Sequence, residues 1–134
     1  AVPDLTLAID GGIADLQLWQ CRGFGLGELG RHEEALADFD HVLASEPRDF
    51  GASYGRGRVR RLLGRDLGGA VEDLGRAIAA QPQNGSLYLE RAAVFELLSQ
   101  TAAAVADLRE ALRLLPPRHP HRLQAERRLA ALDR

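Results

Sequence analysis

An all-helical array of stacked hairpins is the fold this sequence predicts, and three observations predict it. A spaced skeleton recurs three times. It reads Trp19, Gly23, Leu26, Leu29-Gly30, Ala35, Phe39, Pro47, then Tyr54, Gly57, Leu63-Gly64, Ala70, Leu74, Ala77, Pro82, then Tyr88, Ala92, Phe95, Leu98, Ala104, Leu108, Ala111, Pro116. The closing prolines lie 35 and then 34 residues apart. At that period a single hairpin cannot bury its apolar face alone, and neighbours stack into a solenoid. Composition agrees: 46% of residues are hydrophobic but only 5% are aromatic, as suits helices packed through Ala and Leu.

Each element follows in order. Residues 1–15 precede the first full unit; Leu5 to Asp10 reads as the end of a helix before the Gly11-Gly12 break, the remnant of an upstream repeat. Unit one, residues 16–49, should hold helices over Leu16–Leu29 and His32–Ser45. Gly30 and Gly64 each stand just past a helix end, where a left-handed residue closes the last turn without a Cβ clash. Unit two, residues 50–84, carries one extra residue, placed at Arg65 just before a helix start at Asp66. Unit three covers 85–118. Pro47, Pro82 and Pro116 follow the second helices because they cannot continue them.

Small residues mark the crossings. Gly23 with Ala35, Gly57 with Ala70, and Ala92 with Ala104 should allow an interaxial approach of about 8–10 Å. Trp19, Phe39, Leu74, Phe95 and Leu108 should fill the wider spaces beside them. In the tail, residues 119–134, a helix near Pro120–Asp133 places Ala125, Leu129 and Leu132 on apolar positions. Glu126 lands where the small residues stood, so the tail reads as a solvating cap.

The chain has 134 residues, a net charge of -2 and a pI near 6.1. That is one domain's worth, and nothing global favours nucleic acid or an anionic membrane. One cysteine, Cys21, permits no internal disulfide. No run approaches the roughly 18 apolar residues of a membrane span, and no signal peptide is visible; the expected location is cytoplasmic. The basic residues are all Arg, and Met is absent. The chain therefore reads as a piece of something longer.

Arg22, Arg56 and Arg91 recur at one position, and Asp38, Asp73 and Asp107 at another. The expected meaning is an ion pair between the two helices of each hairpin, since the planar guanidinium grips a carboxylate two-pronged. Arg56, Arg58, Arg60, Arg61 and Arg65 form the one basic run. Residues 50–84 carry 6 Arg against 3 acids, and residues 16–49 carry 3 Arg against 7. Arg60 stands where Leu26 and Phe95 stand in the other units. Either its stem snorkels along the core, or the register shifts locally. Of the histidines only His119 and His121 are close, and an i,i+2 spacing does not put both on one helix face. No metal site is expected. Cys21 lacks a base and suggests packing or groove lining. Gly25-x-Gly27 follows no strand, so it is no phosphate loop. Without a catalytic constellation, neither enzyme activity nor a cofactor is expected.

The skeleton resembles the tetratricopeptide repeat, whose signature is a large residue, a small one, an aromatic, then small, large and proline. The resemblance spans residues 16–118. It implies a right-handed superhelical solenoid of three hairpins plus a C-terminal capping helix. It also implies a concave surface lined by the first helices, the place for an extended peptide or a partner's helix. Carried across position by position, that surface takes Gln17, Gln20, Phe24 and Glu28 from unit one. Unit two gives Tyr54, Arg58, Arg61 and Leu62, and unit three gives Ser86, Leu89, Glu96 and Leu97. One subgroup of the family clamps the C-terminal carboxylate of chaperones with Lys, Asn, Asn, Lys and Arg. Here those positions hold Gln20, Phe24, Gly55, Ser86 and Glu90. None matches, and Glu90 would repel the carboxylate, so no chaperone carboxylate clamp is expected.

The expected function is a non-enzymatic adaptor or scaffold that binds a protein or peptide in the concave groove. One alternative is a segment of a longer array or multi-domain protein that recruits substrates or drives self-association. A further alternative is nucleic-acid binding through Arg56–Arg65, against which the whole-chain charge and scarce aromatics weigh.

Overall fold

The computed structural model describes residues 16–132; the reading of residues 1–15 lies outside the described residues, as does Asp133. Seven helices and no strands occur among them. They are α1 (Leu16–Glu28), α2 (His32–Ser45), α3 (Phe50–Leu63), α4 (Leu67–Ala80), α5 (Gly85–Leu97), α6 (Thr101–Leu114) and α7 (Arg122–Leu132). Consecutive helices pack on one another throughout, and α1 also touches α3, as α3 touches α5. The odd-numbered helices thus form one continuous face of an all-α solenoid. No described helix is long and apolar enough to cross a membrane.

Local chemistry sets the helix ends. Asp49 accepts from the Ala52 N–H at 2.8 Å, Asp66 from Gly69 at 3.1 Å and Asn84 from Ser86 at 3.2 Å. Each satisfies an orphan donor in the first turn of α3, α4 or α5. Gly30 (φ 78°) and Gly64 (φ 65°) take the left-handed conformation after α1 and α3. After α5 the same place falls to Ser99 (φ 59°), a conformation that costs a residue with a Cβ more than it costs glycine.

The crossings are tight where the small residues stand. Ala35, Ala70, Ala92 and Ala104 are fully buried. A Cβ on Gly23 would lie 2.9 Å from the Phe39 ring, and one on Gly57 would lie 2.9 Å from Leu74 Cγ. The glycines therefore make room for the large side chain of the paired helix. Phe39, Leu74 and Leu108 are buried as expected, whereas Trp19 and Phe95 are only half-buried. One skeleton position needs correcting. Four residues before Gly57, in the place of Trp19, stands the buried Ser53; Tyr54 is one residue on and faces the odd-helix surface.

All three expected ion pairs form, each two-pronged. Arg22 donates to Asp38 at 2.8 and 2.7 Å, Arg56 to Asp73 at 3.0 and 2.9 Å, and Arg91 to Asp107 at 2.8 and 2.9 Å. The hydrogen bonds to Asp73 and Asp107 hold the Arg56 and Arg91 guanidinium groups more firmly protonated than usual. Neither reading of Arg60 describes what it does. Its guanidinium turns inward and donates to the buried Asp73 at 2.8 Å, with Asp66 at 3.2 Å on its other side. A buried carboxylate with hydrogen-bond capacity to spare competes successfully with solvent for a nearby cation.

The tail is helical and docked. Ala125 is 1% exposed and clusters with Ala92 and Leu108, with Leu129 and Leu132 against them. Ala125, not Glu126, is the small residue at the contact; Glu126 lies exposed, paired with Arg122 at 3.2 Å. Arg122 also donates to the carbonyls of Leu112 and Leu115, meeting the unpaired acceptors and negative dipole end of α6.

Candidate functional site

A line of aromatic rings runs along the odd-helix face. Phe24 of α1 meets the buried Phe39 edge-on at 5.0 Å and Tyr54 of α3 at 6.4 Å, and Tyr54 stacks on Phe50 at 6.3 Å. Phe50 was not among the expected surface residues. It opens α3, and nothing in its spacing separates it from a core residue.

Two depressions flank this line. The first is an apolar slot of about 70 Å³ between α1 and α3. Phe24, Phe39, Val59 and Leu62 wall it, Gly23 and Gly55 admit the Phe39 ring, Gly27 leaves open space, and Glu28 and Arg58 border it. The second, about 430 Å³, lies between α3, α5 and α7. Tyr54, Arg58, Arg61, Ser86 and Leu89 line it as expected positions, together with Glu90 and Ala93. His121, just before α7, and Gln124 and Arg128 within it complete the lining. Reading the tail only as a cover for the last hairpin missed its contribution here; their i, i+3, i+7 spacing on one helix face was the available signal.

Not every expected residue joins these depressions. Gln17 and Gln20 line a separate hollow with Val42, Glu46 and Asp49. The Gln20 amide donates to Asp49, the residue that caps α3, so its role is structural. Glu96 holds Arg128 of α7 at 2.5 Å. Leu97 is exposed at the end of α5. Cys21 is exposed, so it neither packs in the core nor lines either depression.

The basic run is mostly neutralised from within. Arg56 and Arg60 serve Asp73, Arg61 pairs with Glu90 at 2.9 Å, and Arg65 pairs with Glu33. Arg58 has no ion pair among the described residues, and it stands where the two depressions meet. Burial raises the Tyr54 hydroxyl above its ordinary pKa; the Glu90 charge adds to this, and Arg58 and Arg61 offset part of it. Among the described residues no group of three His, Cys, Asp or Glu side chains could hold a metal ion. What the face offers is aromatic surface, aliphatic walls and the Arg58 guanidinium, which hydrogen-bonds the Tyr54 hydroxyl but meets no carboxylate among the described residues.

No family model matches the chain. Among curated proteins, it is 33% identical over 105 residues to mouse tetratricopeptide repeat protein 16, covering 74% of the chain and 14% of that protein. It is 31% identical over 91 residues to human tetratricopeptide repeat protein 13, covering 65% of the chain and 11% of that protein. The chain therefore spans only a small part of the relatives it matches. Among solved structures, a double mutant of MamA RS-1 superposes with a TM-score of 0.86 at 23% identity, over 98% of this chain and 71% of that one. The Yersinia enterocolitica chaperone SycD, solved with a peptide of the translocator YopD, gives 0.80 at 16% identity, over 91% and 96%. The first repeat domain of Spaghetti (RPAP3), solved with an HSP90 peptide, gives 0.77 at 19%, over 88% and 90%. Recurring skeleton, observed hairpins and named relatives agree: the chain belongs to the tetratricopeptide repeat family.

Proposed function

We propose that this chain is a non-enzymatic interaction module whose odd-helix face binds a peptide or helix of a partner protein. In this reading residues 16–49, 50–84 and 85–118 are its three repeats, and residues 119–134 are a capping helix that also closes one end of the groove. The observation that carries the reading is the pair of adjoining depressions along α1, α3, α5 and α7, lined by aromatic, aliphatic and guanidinium groups. Such groups dominate binding energy in peptide and protein interfaces. Two structural neighbours were solved with bound peptides, which supports the use of this architecture for peptide capture. The carboxylate-clamp chemistry does not transfer, because Glu90 occupies one of its positions and is held by Arg61.

The test is selection of binders from a displayed library of random dodecapeptides against the whole chain, with a Tyr54→Ala, Leu89→Ala double variant as counter-target. Selected peptides should lose affinity for the double variant while its helical content stays unchanged. Peptides that bind both equally would remove the groove reading.

A second reading, the repeat segment of a longer protein that brings a partner to its other domains, is favoured by the small share of the relatives that the chain spans. Co-purification of the partner with full-length protein, lost in the same double variant, would support it.

A further inference from the structure

Arg58 of this face stands beside the apolar slot with the Tyr54 hydroxyl as a hydrogen-bond partner but no carboxylate partner among the described residues. Arg61 and Arg128 also reach the larger depression, but Glu90 and Glu96 already hold them. Arg58 is exposed, and no carboxylate among the described residues holds it. The slot beside it, about 70 Å³, has room for several water-sized groups, since one water needs roughly 10–15 Å³ on the same measure. That suits one branched aliphatic side chain, and its walls offer such a chain only apolar contacts apart from the rim.

We propose, resting on the groove reading above, that the partner presents an extended peptide with an aliphatic residue seated in this slot and a carboxylate within one or two positions of it, paired with Arg58. Charge complementarity sets the order. Glu28 borders the slot from α1 and Arg58 from α3, so the peptide's acid lies on the α3 side and the α1 side takes a neutral or basic residue. The acid gains most from Arg58 because that guanidinium loses no existing ion pair on binding.

Gly27 provides a clean probe. Gly27 lines the slot, and a Cβ built on it meets nothing within 4 Å, so a side chain can start there without a clash and is expected to take up slot space. Gly27→Leu also replaces glycine in a helix by a good helix former, so its thermal stability should equal or exceed that of the unaltered chain.

The test uses the same dodecapeptide library, followed by fluorescence anisotropy on the whole chain with the strongest selected peptide. Selected sequences should share an aliphatic residue with Asp or Glu one or two positions away. Gly27→Leu should weaken binding by about tenfold or more, worth roughly 1.4 kcal/mol, with an unchanged or raised melting temperature. Arg58→Glu should weaken it comparably, and a peptide with the acid replaced by Lys should recover affinity for that variant. If peptides are lost on the Tyr54→Ala, Leu89→Ala variant but bind Gly27→Leu and Arg58→Glu normally, the slot assignment is overturned and the groove reading stands. If binding ignores all three variants, or the library yields no binder, both fall.

Discussion

Arg60 donates to Asp73 at 2.8 Å, although the corresponding places in the other two hairpins hold Leu26 and Phe95. Asp73 also accepts from Arg56 and from Arg76, so three guanidinium groups converge on a carboxylate with no exposed surface. The central hairpin is thus held by a cationic cluster whose single buried anion keeps it together.

That arrangement makes the two partners unequal. Asp73→Ala removes the buried carboxylate and leaves Arg56, Arg60 and Arg76 only their outer partners Asp40, Asp66 and Glu72, and it should cost about 3 kcal/mol, the lower end of the penalty for breaking a buried pair from one side. Arg60→Leu restores the residue type of the neighbouring hairpins and leaves Asp73 with two arginines; its effect should stay within about 1 kcal/mol. Urea unfolding of both variants measures the contrast, and equal losses would mean that Arg60 rather than Asp73 organises the cluster.

Glycines divide the same way, by what a Cβ would meet. On Gly57 it would lie 2.9 Å from Leu74 Cγ and 3.2 Å from Asp73 Cβ, so Gly57→Leu should lose roughly 1–3 kcal/mol or more through overpacking. Gly68, near the start of α4, has nothing within 4 Å, and Gly68→Ala should gain up to about 1 kcal/mol. Melting temperatures that move together would show that the α3–α4 crossing lies elsewhere.

Much of the fold was legible because it depends on spacing. The α2 bounds, the left-handed Gly30 and Gly64, and the three Arg–Asp pairs follow from a pattern repeated along one dimension. What was not legible depends on contacts between units or on one-residue shifts. Arg60 finds Asp73 only once α3 crosses α4, and the Trp19 position passes to Ser53 because Tyr54 is one residue out of step. Gln20 looks like a groove residue by position, yet Asp49, 29 residues away, claims its amide. Arg58 differs from its neighbours in the basic run only in having no carboxylate within reach, a property that no linear pattern records.

Tyr54 should report on the face by its titration. Burial raises its pKa above the ordinary value of 10.0, so the folded chain holds this proton more tightly than the unfolded one. The associated stability is present below the unfolded tyrosine pKa and is lost as pH rises through the higher folded value. Tyr88→Phe leaves Tyr54 as the single tyrosine. Its alkaline difference spectrum should then show ionisation at higher pH in the native state than in denaturant. Coincident titrations would mean that the ring is freely solvated, and the aromatic line from Phe24 to Phe50 would be loose.

The role of α7 admits the sharpest test. Its Ala125, Leu129 and Leu132 cover Ala92 and Leu108 beside Leu112, and Arg122 answers the carbonyls at the end of α6. Deleting residues 119–134 removes both and uncovers an apolar face of roughly a few hundred Å². An array without its terminal cover loses solubility, so the shortened chain should self-associate while its helical circular dichroism largely persists. A stable monomer by light scattering would count against the covering role. Two point variants separate the causes. Glu126→Leu alters only the exposed side and should fold normally, becoming stickier. Ala125→Leu forces bulk into a contact with no free surface and should release α7, costing about 1–3 kcal/mol. Because His121, Gln124 and Arg128 line the larger depression, releasing α7 should also weaken any peptide held between α3 and α5. A peptide whose affinity survives Ala125→Leu therefore sits wholly in the slot between α1 and α3.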